Sequence, residues 1–196
     1  MIMDKNVLNV EFSGTDFQGI DDNYPNLHWI KAGIKILKEF GPRAISIDAL
    51  CAEVNQTSED FNNDYNGLEE YLFSVLEYWY EKETLSYIDI LDQISGSAED
   101  TLLAMVKVTI DADRSDEIAI RKWALMCPNA HKALSKVDRT RLDVGAGLFR
   151  EMGFSEAESK IRAKIFYTSN IGTEYTSISS TLEHKLAMCK LLMMRD

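Results

Sequence analysis

Lys31, Lys35 and Lys38 recur at steps of four and three, so a helix would set the three cations along one face. Such a stripe can lie against phosphates, and it can equally be a solvated surface. Asn62 and Asn63 follow on a short polar stretch, and an Asn side chain can bond N6 and N7 of an adenine together. Simple surface polarity accounts for them as well. Glu59 and Asp60 precede them and suit the first turn of a helix, where carboxylates meet the positive end of the dipole. Farther along, Arg121, Asp138, Arg139 and Arg141 gather opposite charges of the kind that orient packed helices through ion pairs. His28, His131 and His184 show no ligand spacing, so no metal site is expected. No glycine-rich phosphate loop, nucleophile elbow or catalytic pair of carboxylates stands out. The chain is therefore not expected to be an enzyme, and no cofactor is expected.

The elements that must position these groups are set by an ordinary globular composition. Of 196 residues, 45% are hydrophobic and 27% charged, enough for one sizeable domain or two smaller ones. No apolar run approaches a membrane span, and the first residues lack the basic and apolar regions of a signal peptide. Cys51, Cys127 and Cys189 are odd in number and widely spaced, which suggests buried thiols in a reducing, cytoplasmic setting. The net charge of −11 works against nucleic acid unless cations are segregated on one face.

Residues 1–26 read as a flexible tail, with a possible short strand at Val7, Leu8, Val10 and Phe12. From Leu27 the pattern turns helical: Ile30, Ile34, Leu37 and Phe40 share a face, and Gly41-Pro42 ends it. Ser46 can cap a helix over 47–54, and Asn55 suits the left-handed turn after it. Thr57 can cap a third short helix, and a fourth begins near Leu68. Capping boxes at Ser97-x-x-Asp100, Ser155-x-x-Glu158 and Ser180-x-x-Glu183 open later helices. A helix from Asp116 is interrupted at Pro128, and a long one then runs to Met152 with Gly153 past its end. The fold class is all-α, and three short helices with a tight turn between the second and third form a helix-turn-helix unit.

That unit resembles the headpiece of the TetR family of transcription regulators. Trp29-Ile-Lys-Ala-Gly-Ile-Lys-Ile-Leu-Lys-Glu-Phe-Gly41 is similar to the family's first helix, and Ala44-Ile-Ser-Ile-Asp-Ala-Leu-Cys-Ala-Glu-Val54 to its second. Phe61, Tyr65, Leu68, Leu72 and Trp79 fall at apolar positions of helices three and four. Ile120-Arg-Lys-Trp-Ala-Leu125, Val137-Asp-Arg-Thr-Arg-Leu142, Phe149-Arg-Glu-Met-Gly-Phe-Ser155 and Arg162-Ala163 resemble the body of one branch. The resemblance implies three parts: a tail over 1–26, a DNA-binding-type headpiece over 27–80, and an effector-binding, dimerising body over 81–196.

It also implies a homodimer paired through helices near Val137–Met152 and Ser155–Tyr175, where Ala146, Gly147 and Gly172 permit close approach. Double-stranded DNA and a small apolar effector are the implied partners, with no membrane. Lys31, Lys35, Arg43, Thr57, Ser58, Asn62 and Asn63 are the candidates for DNA. Met105, Trp123, Met126, Phe149, Phe166 and Tyr167 would suit an apolar pocket, and ordinary core packing explains each as well. The turn into the third helix departs from the family: Ser58, Glu59 and Asp60 stand where Lys-Gly-Ser is usual, and Asn62 where Tyr is usual. Residues 26–80 hold four cations (Lys31, Lys35, Lys38, Arg43) against nine carboxylates. The expected function is a ligand-modulated, DNA-binding regulator. The alternative is a dimer that has lost DNA binding and holds a ligand or protein instead.

Overall fold

Local chemistry explains most helix boundaries in the computed structural model, which describes residues 24–110, 112–177 and 180–195. The tail and its possible strand at Val7–Phe12 lie outside the described residues. Helix α1 (Leu27–Phe40) stops where Gly41 takes φ 81°, and Pro42–Ala44 makes a 3-10 turn. Ser46 caps α2 (Ile47–Val54) by accepting from the Ala49 amide. Asn55 then turns left-handed at φ 57°. Thr57 and Asp60 exchange side-chain and backbone bonds in a capping box that opens α3 (Ser58–Asp64). Gly67, at φ 109°, precedes α4 (Leu68–Tyr80).

These four helices close over an aromatic core. Trp29 meets Phe61 edge-on at 5.3 Å, and Phe61 and Tyr65 both pack on Tyr71 at 5.5 and 5.2 Å. The polar atoms of these rings are served: Trp29 Nε1 donates to Asp64 Oδ2 at 2.8 Å, and the Tyr71 hydroxyl donates to the Trp29 carbonyl at 2.8 Å. A Cβ on Gly33 would sit 1.8 Å from that hydroxyl, so only glycine lets α4 come this close to α1. Tyr24 lies edge-on to Tyr78 at 4.9 Å.

Beyond Tyr80 the helix does not stop. It widens into a single π-helical turn, Glu81–Leu85, and continues as α5 (Ser86–Asp92). Ser97 and Asp100 bond reciprocally to open α6 (Ala98–Ile110). Next comes α7 (Ser115–Ala124), starting one residue before the expected Asp116 because the Asp113 carboxylate accepts from the Ser115 amide. Pro128 occupies the first turn of α8 (Pro128–Glu151), where its missing N–H costs nothing. Gly153 at φ 89° and Phe154 end α8 with bonds to the Arg150 and Phe149 carbonyls, and Phe154 packs on Phe149. Ser155 and Glu158 box α9 (Glu156–Gly172). A 3-10 turn, Thr173–Tyr175, follows. Helix α10 (Leu182–Met193) is capped by Thr181 rather than Ser180, since the Thr181 hydroxyl accepts from the His184 amide.

The described residues contain no strand, and no helix among them is long and apolar enough to cross a membrane. Two apolar cores result. One joins Trp29, Phe61 and Tyr71 to Ile120 and Trp123 of α7 and Val137 of α8. The other joins Leu102 and Val106 of α6 to Phe149, Phe166 and Cys189. On α9 the inward positions are Ala163, Phe166 and Asn170, whereas Ile161 and Ile165 point outward, 60% and 47% exposed.

Candidate functional site

A cavity of about 110 Å³ opens in the body, walled by the π turn and by α5, α6, α7, α8 and α9. Ile88, Leu91, Met105, Val144 and Phe166 supply apolar wall, and Glu83, Arg114, Glu117 and Arg141 bring charge to it. Gly145 and Ala163 allow α8 and α9 to approach here, with a Cβ on Gly145 meeting that of Ala163 at 3.4 Å. Of the expected pocket residues, Met105, Phe166 and Tyr167 line this cavity. Trp123 is buried in the core shared with the headpiece, and Phe149 in the second core. Met126 lies on the surface beside Leu125, 55% exposed.

An ionic network forms the polar side of the wall. Arg121 donates to Glu117 Oε1 through Nε (2.9 Å) and Nη2 (2.8 Å), and Nη2 also reaches Asp138 Oδ1 at 2.7 Å. Arg141 Nη1 donates to both Glu117 oxygens at 3.0 Å, and its Nη2 to the Glu83 carbonyl at 2.7 Å. Tyr167 accepts from Arg121 at 2.8 Å and donates to Asp138 at 2.6 Å. The sequence cluster Arg121, Asp138, Arg141 is thus brought together, while Arg139 makes no ion pair among the described residues.

Burial alone would push the Glu117 carboxyl up, but the guanidiniums of Arg141 and Arg121 beside it outweigh burial and hold it below the usual carboxylate range. Glu83 shows the opposite balance: burial raises its carboxyl, and Lys82 and Arg141 offset this only in part. Burial, together with the bond to Asp138, drives the Tyr167 hydroxyl up to about 12. The guanidinium bond to the Glu83 carbonyl has a structural reason, because a π turn breaks the regular backbone ladder and leaves carbonyls for other donors. Two further wall groups have no hydrogen-bond partner among the described residues: Thr84 Oγ1 and Asn170 Oδ1, on residues 1% and 6% exposed.

Of the residues expected at DNA, Lys35 and Thr57 already have partners within the fold. Lys35 pairs with Glu53 at 2.6 Å. Lys38, outside that set, pairs with Asp116 of α7 at 2.9 Å. Thr57 is spent on the α3 cap. Lys31 and Arg43 make no ion pair among the described residues, and Ser58, Asn62 and Asn63 are exposed on α3. Two of the three α3 carboxylates also have structural work, Asp60 in the cap and Asp64 on Trp29. Glu59 alone of these has no such tie among the described residues.

Sequence reasoning passed over Glu83, Thr84, Glu117 and Asn170. A signal existed for two of them. Glu117 stands four residues before Arg121, the spacing of a helical ion pair. Asn170 falls four residues after Phe166, a polar side chain at an inward position. The π turn that exposes Glu83 and Thr84 has no comparable local sign.

Neither a protein-family model nor a curated protein matches the chain. Solved structures do. A Pseudomonas aeruginosa PAO1 protein described as a transcriptional regulator aligns at 15% identity over 84% of this chain and 86% of its own, with a TM-score of 0.71. A Clostridium perfringens protein described as a fatty acid metabolism regulator aligns at 11% identity over 85% and 96%, with a TM-score of 0.67. The multidrug binding protein EbrR, solved with imidazole, gives 12% identity over 87% and 96%, with a TM-score of 0.58. At such identities the likeness is one of fold. The chain shares the all-helical fold of these proteins, with a helix-turn-helix unit at α1–α3 and a helical bundle behind it.

Proposed function

We propose that this fold serves here as a dimeric transcription regulator whose body cavity takes a small, mainly apolar ligand and whose headpiece meets duplex DNA. One observation supports the reading above all others. Neighbouring residues of α7 face the two ends of the system: Asp116 pairs with Lys38 of the headpiece and lies 3.8 Å from Lys82, while Glu117 forms the cavity wall. A ligand that moves α7 would move both. DNA affinity then changes by the ligand's differential affinity for the two arrangements. Pairing of protomers through α8 and α9 is supported by Ile161 and Ile165, exposed one turn apart on α9. Ala146, by contrast, is already buried inside its own protomer.

A second reading has its own support, namely a headpiece that no longer holds DNA. The cations are few, and two of the three α1 lysines are paired internally. Measuring affinity for random duplex DNA against salt separates the two. Each phosphate contact adds about 0.9 to the slope of log affinity against log salt. The expected slope is shallow, and Ser58→Lys with Glu59→Gly should steepen it and tighten binding. Tight binding with a steep slope in the unmodified protein would show that the headpiece is not weakened. No response to the double replacement would mean that α3 does not face DNA, and the second reading would stand.

A further inference from the structure

We infer that the cavity is built for a molecule whose polar end donates hydrogen bonds, a primary amide or an alcohol on an apolar body, and not for a carboxylate. This rests on the proposal that the cavity is a ligand site, and it adds the chemistry of the ligand's head. Asn170 sets the polarity of the wall. Its Nδ2 donates to the Phe166 carbonyl at 3.1 Å, and because a carbonyl only accepts, the amide cannot be the other way round. Oδ1 is therefore the atom left without a partner, and it can only accept. Thr84 lines the same cavity, and its Oγ1 is a second buried atom without a partner among the described residues, a hydroxyl that can take a donor. An unmatched buried acceptor is costly, and a ligand donor would recover that cost.

Charge points the same way. The carboxylates Glu83 and Glu117 and the guanidiniums Arg114 and Arg141 are the charged groups of the wall. Arg141 spends its donors on Glu117 and the Glu83 carbonyl, and Arg114 donates to the Thr109 carbonyl at 3.4 Å. An anion placed here would face two carboxylates, and Arg141 is already committed to Glu117 and the Glu83 carbonyl. A head with N–H or O–H groups would instead find Asn170 Oδ1, Thr84 Oγ1 and the Glu83 carboxyl as acceptors.

Calorimetric titration of the full chain with hexanamide, 2-heptanone and hexanoate tests this, since the three share a short alkyl body and differ in what the head donates. Hexanamide should bind about tenfold more tightly than the acceptor-only ketone, and hexanoate should bind most weakly. Thr84→Val keeps the side-chain shape and should erode the amide's advantage while leaving ketone affinity unchanged. Asn170→Leu should erode it further, with a thermal melt reporting that the variant folds. Equal binding of amide and ketone, or tightest binding by hexanoate, overturns the donor inference and leaves the ligand site standing. An amide advantage untouched in both variants overturns the assignment to these two atoms. No binding of any of the three overturns the ligand-site proposal and this inference with it.

Discussion

The headpiece and the body solve packing differently. In the headpiece the buried rings of Trp29, Phe61, Tyr65 and Tyr71 touch one another, and the Trp29 and Tyr71 polar atoms are paired. A glycine is needed there where two helices would otherwise collide. In the body a cavity remains between helices and a π turn interrupts one of them, whereas buried polar atoms without partners among the described residues occur in both parts, Trp79 Nε1 in the headpiece and Thr84 Oγ1 and Asn170 Oδ1 in the body. The headpiece is a part that must hold one shape. The body has left space between its helices. If the cavity is the ligand site proposed above, packing and not hydrophobicity separates it from the scaffold, because both regions are lined by aliphatic and aromatic side chains.

The contrast should break first at Glu117. This carboxylate belongs to the cavity wall but is 6% exposed and compensates two arginines, so the wall is as firmly tied there as any core. Glu117→Gln should lower stability by about 3–5 kcal/mol, because removing one member of a buried ionic group strands the rest. Its carboxyl is lower in the folded chain than in the unfolded one. The contribution is therefore complete above the unfolded carboxyl range and disappears as pH falls through the folded value. Denaturant melts of the two proteins should draw together as pH falls below the unfolded carboxyl range and through the folded value.

Next in size is Gly33→Ala, which should cost about 3 kcal/mol by driving a methyl into the Tyr71 hydroxyl and its bond to Trp29. A melting temperature within a degree of the parent would show that the headpiece is looser than its geometry. Glu83→Gln should act in the opposite direction. Burial raises the Glu83 carboxyl in the folded state, so its favourable contribution belongs to low pH and is lost as pH rises through the folded value. Near pH 7 the amide should be the more stable of the two, and the advantage should vanish in acid. The smallest effect belongs to Gly145→Ala in the cavity wall. There the added methyl makes ordinary contact with Ala163, so stability should change by less than about 1 kcal/mol, with better helix propensity offsetting crowding. The same glycine-to-alanine change thus reads the packing of both regions, and equal losses at Gly33 and Gly145 would erase the contrast.

Helix ends were legible because capping is chemistry among neighbours. Ser46, Thr57, Ser97, Ser155 and Gly153 each act within a few residues of their own position. The site was legible only in part. Arg121, Asp138 and Arg141 announced an ionic group, and Met105, Phe166 and Tyr167 reach the cavity. Residue type does not say which interior a side chain joins, and so Trp123 and Phe149 lie in cores and Met126 at the surface. Nor does it say which acidic residue is bound to the scaffold: Asp64 looks free on α3 until folding brings the Trp29 indole to it across the headpiece.

The π turn at Glu81–Leu85 has a consequence for variation in chain length. A regular helix that gains one residue rotates everything after it by about 100°, which would carry the α5 face off the cavity. A π turn absorbs one extra residue within itself and keeps the phase of the segments on either side. Trimming a residue from it would restore an α-helical ladder while Ile88 and Leu91 still faced inward. What would change is the identity of the groups at the turn, Glu83 and Thr84. A single-codon deletion here could therefore exchange the polar lining of the cavity and leave the helix that supports it in place.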